Sequence, residues 1–316
     1  MKNAKGKLRI LICGLGSIGK KHARILRKSY KHELMALRIK DKGNDLGLPE
    51  ISSWKEAKEW MPDVVFVTNP TKYHIQTAKK VAQLGAAIFL EKPIGHSMAG
   101  VAELERICLK KKSICYVAYP LRFLPVIQKT KELLKNKKIL HTRAVCSSYL
   151  PSWRPGTDYR KNYSSRYQEG GGVVLDLSHE FDLMTYLIGP VKSIMGVKGR
   201  ASNITVDAED FADCLIRFEN GSLANVHLNF MSQKAERYVH VDFKGGYVKS
   251  DLIANTIIFC NGTKRKILRL PCKRDNYLLK QTNYFLNHLN NPKLMNNLSE
   301  AKDLFAKIIS FREKSI

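Results

Sequence analysis

Apolar and polar positions change period near residue 120 of the 316-residue chain. Before that point, short apolar runs alternate with longer amphipathic stretches. Leu8 to Cys13 is apolar and β-branched; the chain then turns at Gly14, and a 3.6-residue pattern predicts a helix through about Ser29. Further strands are expected at "ELMALRI" (33 to 39), "DVVFVTN" (63 to 69), "AAIFLEKP" (86 to 93) and "SICYVAY" (113 to 119). Helices are expected at "SSWKEAKEW" (52 to 60), "YHIQTAKKVAQLG" (73 to 85) and "SMAGVAELERICLKKK" (97 to 112). Strands separated by helices of this length imply an α/β domain with a doubly wound parallel sheet, over residues 1 to about 120.

After Leu121 the texture changes. A helix is predicted in "FLPVIQKTKELLKN", an extended stretch in "ILHTRAVCSSYLP", an irregular segment over 152 to 172 and a helix from about Val173 to Leu187. Residues 190 to 270 then alternate apolar with polar at period two, joined by Asn-Gly and Gly-Gly turns. That is the pattern of an open, mainly antiparallel sheet with one solvated face. A last amphipathic helix is expected at about 298 to 314, with Ser299 as its cap. Residues 121 to 316 therefore form a second, α+β domain.

Composition changes this picture little: 44% hydrophobic and 26% charged residues are ordinary for a soluble globular protein. No apolar run approaches the roughly 18 residues of a membrane span, so no membrane partner is expected. Seven scattered cysteines, with no C-x-x-C, point to buried thiols in a reducing cytoplasm and to no metal site. The net charge of +26 is abnormal, but the cations are interleaved with apolar positions along the whole chain. Without a nucleic-acid-binding signature they are expected to be solvated surface, leaving a bias toward anionic small substrates.

The chemistry begins at Gly14, Gly16 and Gly19, a G-x-G-x-x-G between a strand and a helix. The three serve a tight turn, close approach of a pyrophosphate and helix packing, while Ser17 and Ile18 open the helix whose amides face the anion. The second strand ends in Arg38, Ile39 and Lys40, with no acid at its tip and Asp41 slightly beyond. Arg38 and Lys40 suit the 2′-phosphate of NADP, which favours NADP over NAD; ordinary loop cations are the other reading.

"VFVTNPTKYH", "FLEKPIG" and "EGGGVVLDLSHEFDLMTYLIG" carry a resemblance. On these segments the chain resembles the Gfo/Idh/MocA family, the glucose-fructose oxidoreductase and inositol dehydrogenase group of NAD(P)-dependent sugar oxidoreductases. The resemblance implies a Rossmann domain followed by an open-sheet domain for substrate and oligomerisation. It implies that Thr68, Asn69, Pro70, His74, Glu91 and Lys92 line the cofactor, with Lys92 near nicotinamide and substrate. For His74, a helix-start residue that only satisfies backbone groups is equally open.

In the third segment His179 matches the family's general acid/base and Asp182 the acid that usually follows it. Asp176 precedes His179 by three residues where the family commonly has four, yet both spacings keep the pair on one helical face. Asp176 is then expected to orient and polarise His179. A neutral imidazole, with a pKa near about 6.5, is suited to taking a hydroxyl proton while hydride moves, and an ammonium at Lys92 can stabilise developing alkoxide.

Arg122 corresponds to a position near the family's cleft. Trp153, Arg154, Asp158, Tyr159, Arg160, Tyr163 and Arg166 combine planar donors with stacking faces, suited to a sugar bearing a carboxylate or nucleotide phosphates; a solvated loop with aromatic anchors is equally open. The same segment resembles a subgroup associated with surface-polysaccharide sugar biosynthesis. The resemblance thus implies a cytoplasmic NAD(P)-dependent sugar or nucleotide-sugar oxidoreductase, a homodimer or homotetramer. A catalytically silent dinucleotide-binding sensor is the alternative.

Overall fold

The structure is a computed structural model that describes residues 6–38 and 43–314. Its residues fall into two compact units: those up to Tyr119 together with Leu278–Asp303, and Pro120–Tyr277 together with Leu304 onward.

In the first unit, β1 (Arg9–Cys13), α1 (Ser17–Ser29), β2 (Glu33–Leu37), β3 (Glu50–Ile51), α2 (Trp54–Trp60), β4 (Val64–Val67), α3 (His74–Leu84), β5 (Ala87–Glu91), α4 (Val101–Lys111) and β6 (Cys115–Ala118) follow one another. The six strands are parallel in the order β3-β2-β1-β4-β5-β6. Helices cover a parallel sheet on both faces, which is why β1, β4 and β5 read as nearly unbroken apolar runs and are buried at Ile10, Ile12, Phe66 and Phe89. The strand order reverses between β1 and β4, where an open α/β sheet leaves a crevice at its strand ends.

The second unit contains α5 (Pro125–Leu134), β7 (Ile139–Tyr149), α6 (Val173–Asp176), α7 (His179–Ile188) and seven further strands. These are β8 (Val191–Gly199), β9 (Phe211–Phe218), β10 (Leu223–Asn229), β11 (Met231–Phe243), β12 (Gly246–Asp251), β13 (Thr256–Asn261) and β14 (Lys264–Arg269). Its sheet runs β14-β13-β12-β11-β7-β10-β9-β8, antiparallel except where β7 and β10 pair in parallel. Alternate residues of β9 are buried while Asp213, Leu215 and Arg217 are exposed, so one face is covered and one is open.

Three local expectations change. A helix, α8 (Arg274–Asn287), occupies a stretch with no element expected, and its Phe285 and Leu286 join Ile10, Phe66, Phe89 and Tyr116 in the first unit's core. Residues 278–303 therefore group with the first sheet, because their apolar side chains are buried there, and not with the residues after 121 that they follow in sequence. The final helix, α9 (Leu298–Glu313), starts one residue before Ser299. Asn297 caps it, its Oδ1 accepting from the Glu300 amide at 3.0 Å while Glu300 accepts from the Asn296 amide at 2.7 Å. The Asn297 bond is an N-cap, and Glu300 reaches back one residue beyond it, so the arrangement is close to a capping box without being one.

Candidate functional site

In the first unit, Thr68 and Asn69 lie against the turn after β1. Gly14 has φ +99°, and a Cβ there would lie 2.8 Å from the backbone of Asn69; one at Gly19 would collide with the Gly14 carbonyl. Both must be glycine for the turn to lie against the end of β4. Gly16 differs, because a Cβ there would meet nothing within 4 Å. It opens onto space at the start of α1, where Gly16 supplies no side-chain cap and the first turn carries no acid. Exposed Ser17 and half-buried Ile18 follow it. Two crowded glycines fixing a turn and a third facing open space fit a dinucleotide pyrophosphate at the N-terminal amides of α1.

Thr68 and Asn69 build this turn more than they present side chains from it. Thr68 Oγ1 donates to Gly14 O at 2.7 Å, and Asn69 Nδ2 donates to Thr77 Oγ1 at 2.8 Å. Pro70 leads into a 3-10 turn, Thr71–Tyr73. His74 follows, buried, with Nδ1 2.8 Å from Pro93 O and Nε2 2.9 Å from Asn69 O. It staples the loop after β4 to the loop after β5, which favours the backbone-satisfying reading. Burial lowers its pKa, outweighing the two carbonyls that raise it; the neutral ring then donates to only one of them.

Glu91 ends β5 and turns inward, 2.8 Å from Nε2 of His22, which is fully buried on α1 against Phe66 and Phe89. His22 therefore departs from the exposed basic face of its helix, where Lys20 and Arg24 pair with Asp45. It is a site-supporting residue that the glycine motif alone did not single out. Lys92 follows, half-buried, joined to Pro93 by a cis peptide bond. At the end of β2, Arg38 pairs with Glu50 at 3.3 Å and donates to Gly43 O. Lys40, the other cation expected here, lies outside the described residues.

In the second unit, the three glycines before α6 bring the 163–165 turn against the start of that helix. A Cβ at Gly171 would collide with the carbonyls of Tyr163 and Ser164, and one at Gly172 would lie 2.5 Å from the Glu209 carboxylate. The chain can thus pass close beneath the 163–165 turn, with the Gly172 amide donating to Ser164 O at 3.0 Å. Arg312 completes the anchor, bonding Gly171 O at 2.6 Å and pairing with Glu209 at 3.2 Å.

Asp176 and His179 do not share one continuous helical face. α6 ends at Asp176, Leu177 leaves helical geometry at ψ 23°, and α7 begins at His179. Asp176 is buried and accepts from the Tyr163 hydroxyl at 2.8 Å. The Tyr163 hydroxyl is enclosed, and its pKa is raised first by burial and then by the Asp176 charge and hydrogen bond. The phenol stays protonated and donates.

Arg122 and Asp182, expected at the substrate, are turned to one another instead. They are 2% and 1% exposed, with Arg122 Nε 3.0 and 3.1 Å from the two carboxylate oxygens and Nη2 2.7 Å from Oδ1. Each supplies the charge the other needs to be buried. Trp153 donates to Ser148 Oγ at 2.8 Å and packs edge-on against Phe230. Tyr159 accepts from the Thr205 amide at 3.1 Å, and Arg160 forks onto Asp158 at 2.8 and 3.0 Å. Arg154 is half-buried with its guanidinium 5.7 Å from the centre of the Tyr163 ring.

Comparison with known proteins matches both units. Residues 8–119 match the family model described as "Oxidoreductase family, NAD-binding Rossmann fold", and residues 127–249 that described as "GFO/IDH/MocA C-terminal domain". The uncharacterized oxidoreductase YrbE of Bacillus subtilis is 29% identical over 232 residues, 67% of this chain and 64% of that one. D-glucoside 3-dehydrogenase of Escherichia coli is 23% identical over 93% of this chain and 92% of its own length. Among solved structures, UDP-N-acetylglucosamine 3-dehydrogenase GnnA from Acidithiobacillus ferrooxidans superposes with a TM-score of 0.82 at 18% identity, covering 97% of each chain. That likeness is one of fold. With a Rossmann sheet, a mainly antiparallel second sheet and both family models matched in order, the chain belongs to the GFO/IDH/MocA family of oxidoreductases.

Proposed function

We propose that this protein is an NAD(P)-dependent oxidoreductase that moves a hydride between nicotinamide and a hydroxyl-bearing carbon of a sugar or nucleotide-sugar. The observation that carries the reading is the glycine turn: Gly14 and Gly19 are crowded by backbone while Gly16 faces open space before α1, within the matched NAD-binding region. Gly14, Gly16, Ser17, Ile18 and Gly19 would hold the pyrophosphate, with Thr68 and Asn69 fixing the turn. A dinucleotide held by this turn would supply the hydride acceptor or donor at its nicotinamide ring.

The remaining chemistry belongs to the chain's side chains. His179 takes the hydroxyl proton in the oxidative direction and returns it in the reductive one, and Lys92, which the resemblance puts near nicotinamide and substrate, stabilises the developing alkoxide as an ammonium. Asp176, buried and hydrogen-bonded by Tyr163, supplies a negative charge three residues before His179. NADP over NAD is the finer reading, supported by Arg38 at the end of β2 and opposed by Glu50, which already pairs with it. Sugar substrates are supported by relatives named for glucoside and UDP-sugar dehydrogenation. Self-association through the second sheet is supported by exposed Met195, Leu215 and Leu223 on its open face, 55%, 51% and 48% exposed.

The test is His179→Ala assayed for NAD(P)H formation and, separately, for NAD(P)H binding. Turnover should fall by about 10²- to 10⁴-fold, the range of a lost general acid/base, with binding retained. Undiminished turnover removes His179 from the reaction, and absence of NAD(P)H binding in the native protein removes the oxidoreductase reading.

A further inference from the structure

Five arginines around the second unit's site segments are matched by carboxylates. Arg122 pairs with Asp182, Arg160 with Asp158, Arg166 with Glu169, Arg237 with Glu180 and Arg312 with Glu209. Arg154 is not. Among the described residues its guanidinium has neither an ion pair nor a hydrogen bond; it lies over the face of the Tyr163 ring, 5.7 Å from the centroid. It is also only half-buried, so its donors are reachable.

A partly desolvated guanidinium without an acid loses hydration that ring contact replaces only in part. Yet Arg154 is held in a defined place. Tyr163 is fixed by the passage of Gly171 beneath its carbonyl and by its hydroxyl bond to Asp176. The Arg154 charge is close enough to pull the phenol pKa down against the burial that raises it. One ring therefore touches an unmatched cation on its face and the acid preceding His179 through its hydroxyl.

We propose that Arg154, shelved on Tyr163, is the anion-reading residue of this protein, and that its substrate is an anionic sugar whose carboxylate or phosphate oxygens take the guanidinium fork. A planar fork of donors matches either oxyanion in a bidentate manner, which a lysine at this position would not. The inference rests on the oxidoreductase reading above and narrows its substrate class. Tyr163 is by this account a positioning residue, holding Arg154 with its face and Asp176 with its hydroxyl.

The test measures binding by titration calorimetry in the presence of NADH, for the native protein, Arg154→Gln, Arg154→Lys and Tyr163→Phe. Three probes separate the anion's source: D-glucuronic acid carries a carboxylate only, UDP-N-acetylglucosamine a diphosphate only, and D-glucose neither. The native protein should bind one anionic probe about 10- to 100-fold more tightly than glucose, the worth of a charge-assisted fork. Arg154→Gln should lose that margin while leaving glucose unchanged, Arg154→Lys should keep part of it, and Tyr163→Phe, which retains the ring, should keep most of it. Equal binding of all three probes by the native protein, binding of neither anion, a margin that survives Arg154→Gln, or equal losses for glucose and anion would each overturn the proposal. An Arg154-dependent margin in a protein that binds no NADH would instead sink the oxidoreductase reading and leave the anion site standing.

Discussion

His22 and Glu91 form a buried hydrogen-bonded pair, Nε2 to Oε1 at 2.8 Å, between the helix that follows the glycine turn and the strand end that precedes Lys92. The two segments are 69 residues apart in sequence and meet through this contact. His22→Ala leaves a buried carboxylate without its partner, at a cost of about 1 to 3 kcal/mol. A thermal melt should move down accordingly, and NADH affinity should fall because the residue beside Lys92 is no longer fixed. His22→Gln keeps a donor and should recover much of the loss; equal melts for all three proteins would mean the pair contributes nothing.

The glycines separate folding from cofactor binding. Gly16→Ala adds a methyl where nothing lies within 4 Å, at φ −67°, so the melting temperature should stay within error of the native value. NADH affinity should nonetheless drop about 10- to 100-fold, the order expected when a methyl is forced into a close contact. Gly19→Ala pushes a methyl into the Gly14 carbonyl and should cost about 3 kcal/mol of stability. Intact NADH binding by Gly16→Ala would show that the open space is not where the pyrophosphate lies.

What could be read from the chain was whatever repeats locally. β1, the glycine spacing, α1 and the period-two strands each obey a backbone rule spanning a few residues, so they emerged with their order correct. α8 did not, because its sequence "RDNYLLKQTNYFLN" buries Gln281 and Thr282 along with Leu278 and Phe285, blurring the apolar stripe. The break between α6 and α7 was hidden because apolar Val173, Val174, Leu177, Phe181 and Met184 keep helical spacing across it, and it removes the single helical face on which Asp176 and His179 were expected. Pairings between distant charges were least legible. Nothing near Arg122 in sequence indicates that its partner is Asp182, 60 residues away.

That pairing yields its own prediction. Asp182→Ala strands the Arg122 guanidinium where both residues are nearly inaccessible, so it should destabilise the protein by about 3 to 5 kcal/mol. Replacing both together, as Arg122→Met with Asp182→Leu, should restore most of the denaturant midpoint, since an apolar pair of similar volume has no buried charge to compensate. If the single variant instead melts normally but raises KM for a sugar substrate, Asp182 contacts substrate after all and the buried pair is not its role.

His74 predicts a pH dependence of stability. Burial lowers its pKa in the folded protein below the ordinary value of 6.5, so between those two values the unfolded chain binds a proton that the folded chain does not. Stability from this group is therefore full above about 6.5, declines as pH falls below it, and declines no further once the folded-state pKa is passed. His74→Gln retains a donor for one of the two facing carbonyls but cannot titrate. Denaturant midpoints measured from pH 5 to pH 8 should show the native protein falling more steeply than the variant on the acid side, so that the gap between them narrows toward pH 5. His32, whose pKa burial also lowers, is common to both proteins and cancels in that difference. A gap that stays constant across the range would mean that the ring holding the loops after β4 and β5 together does not change its protonation there.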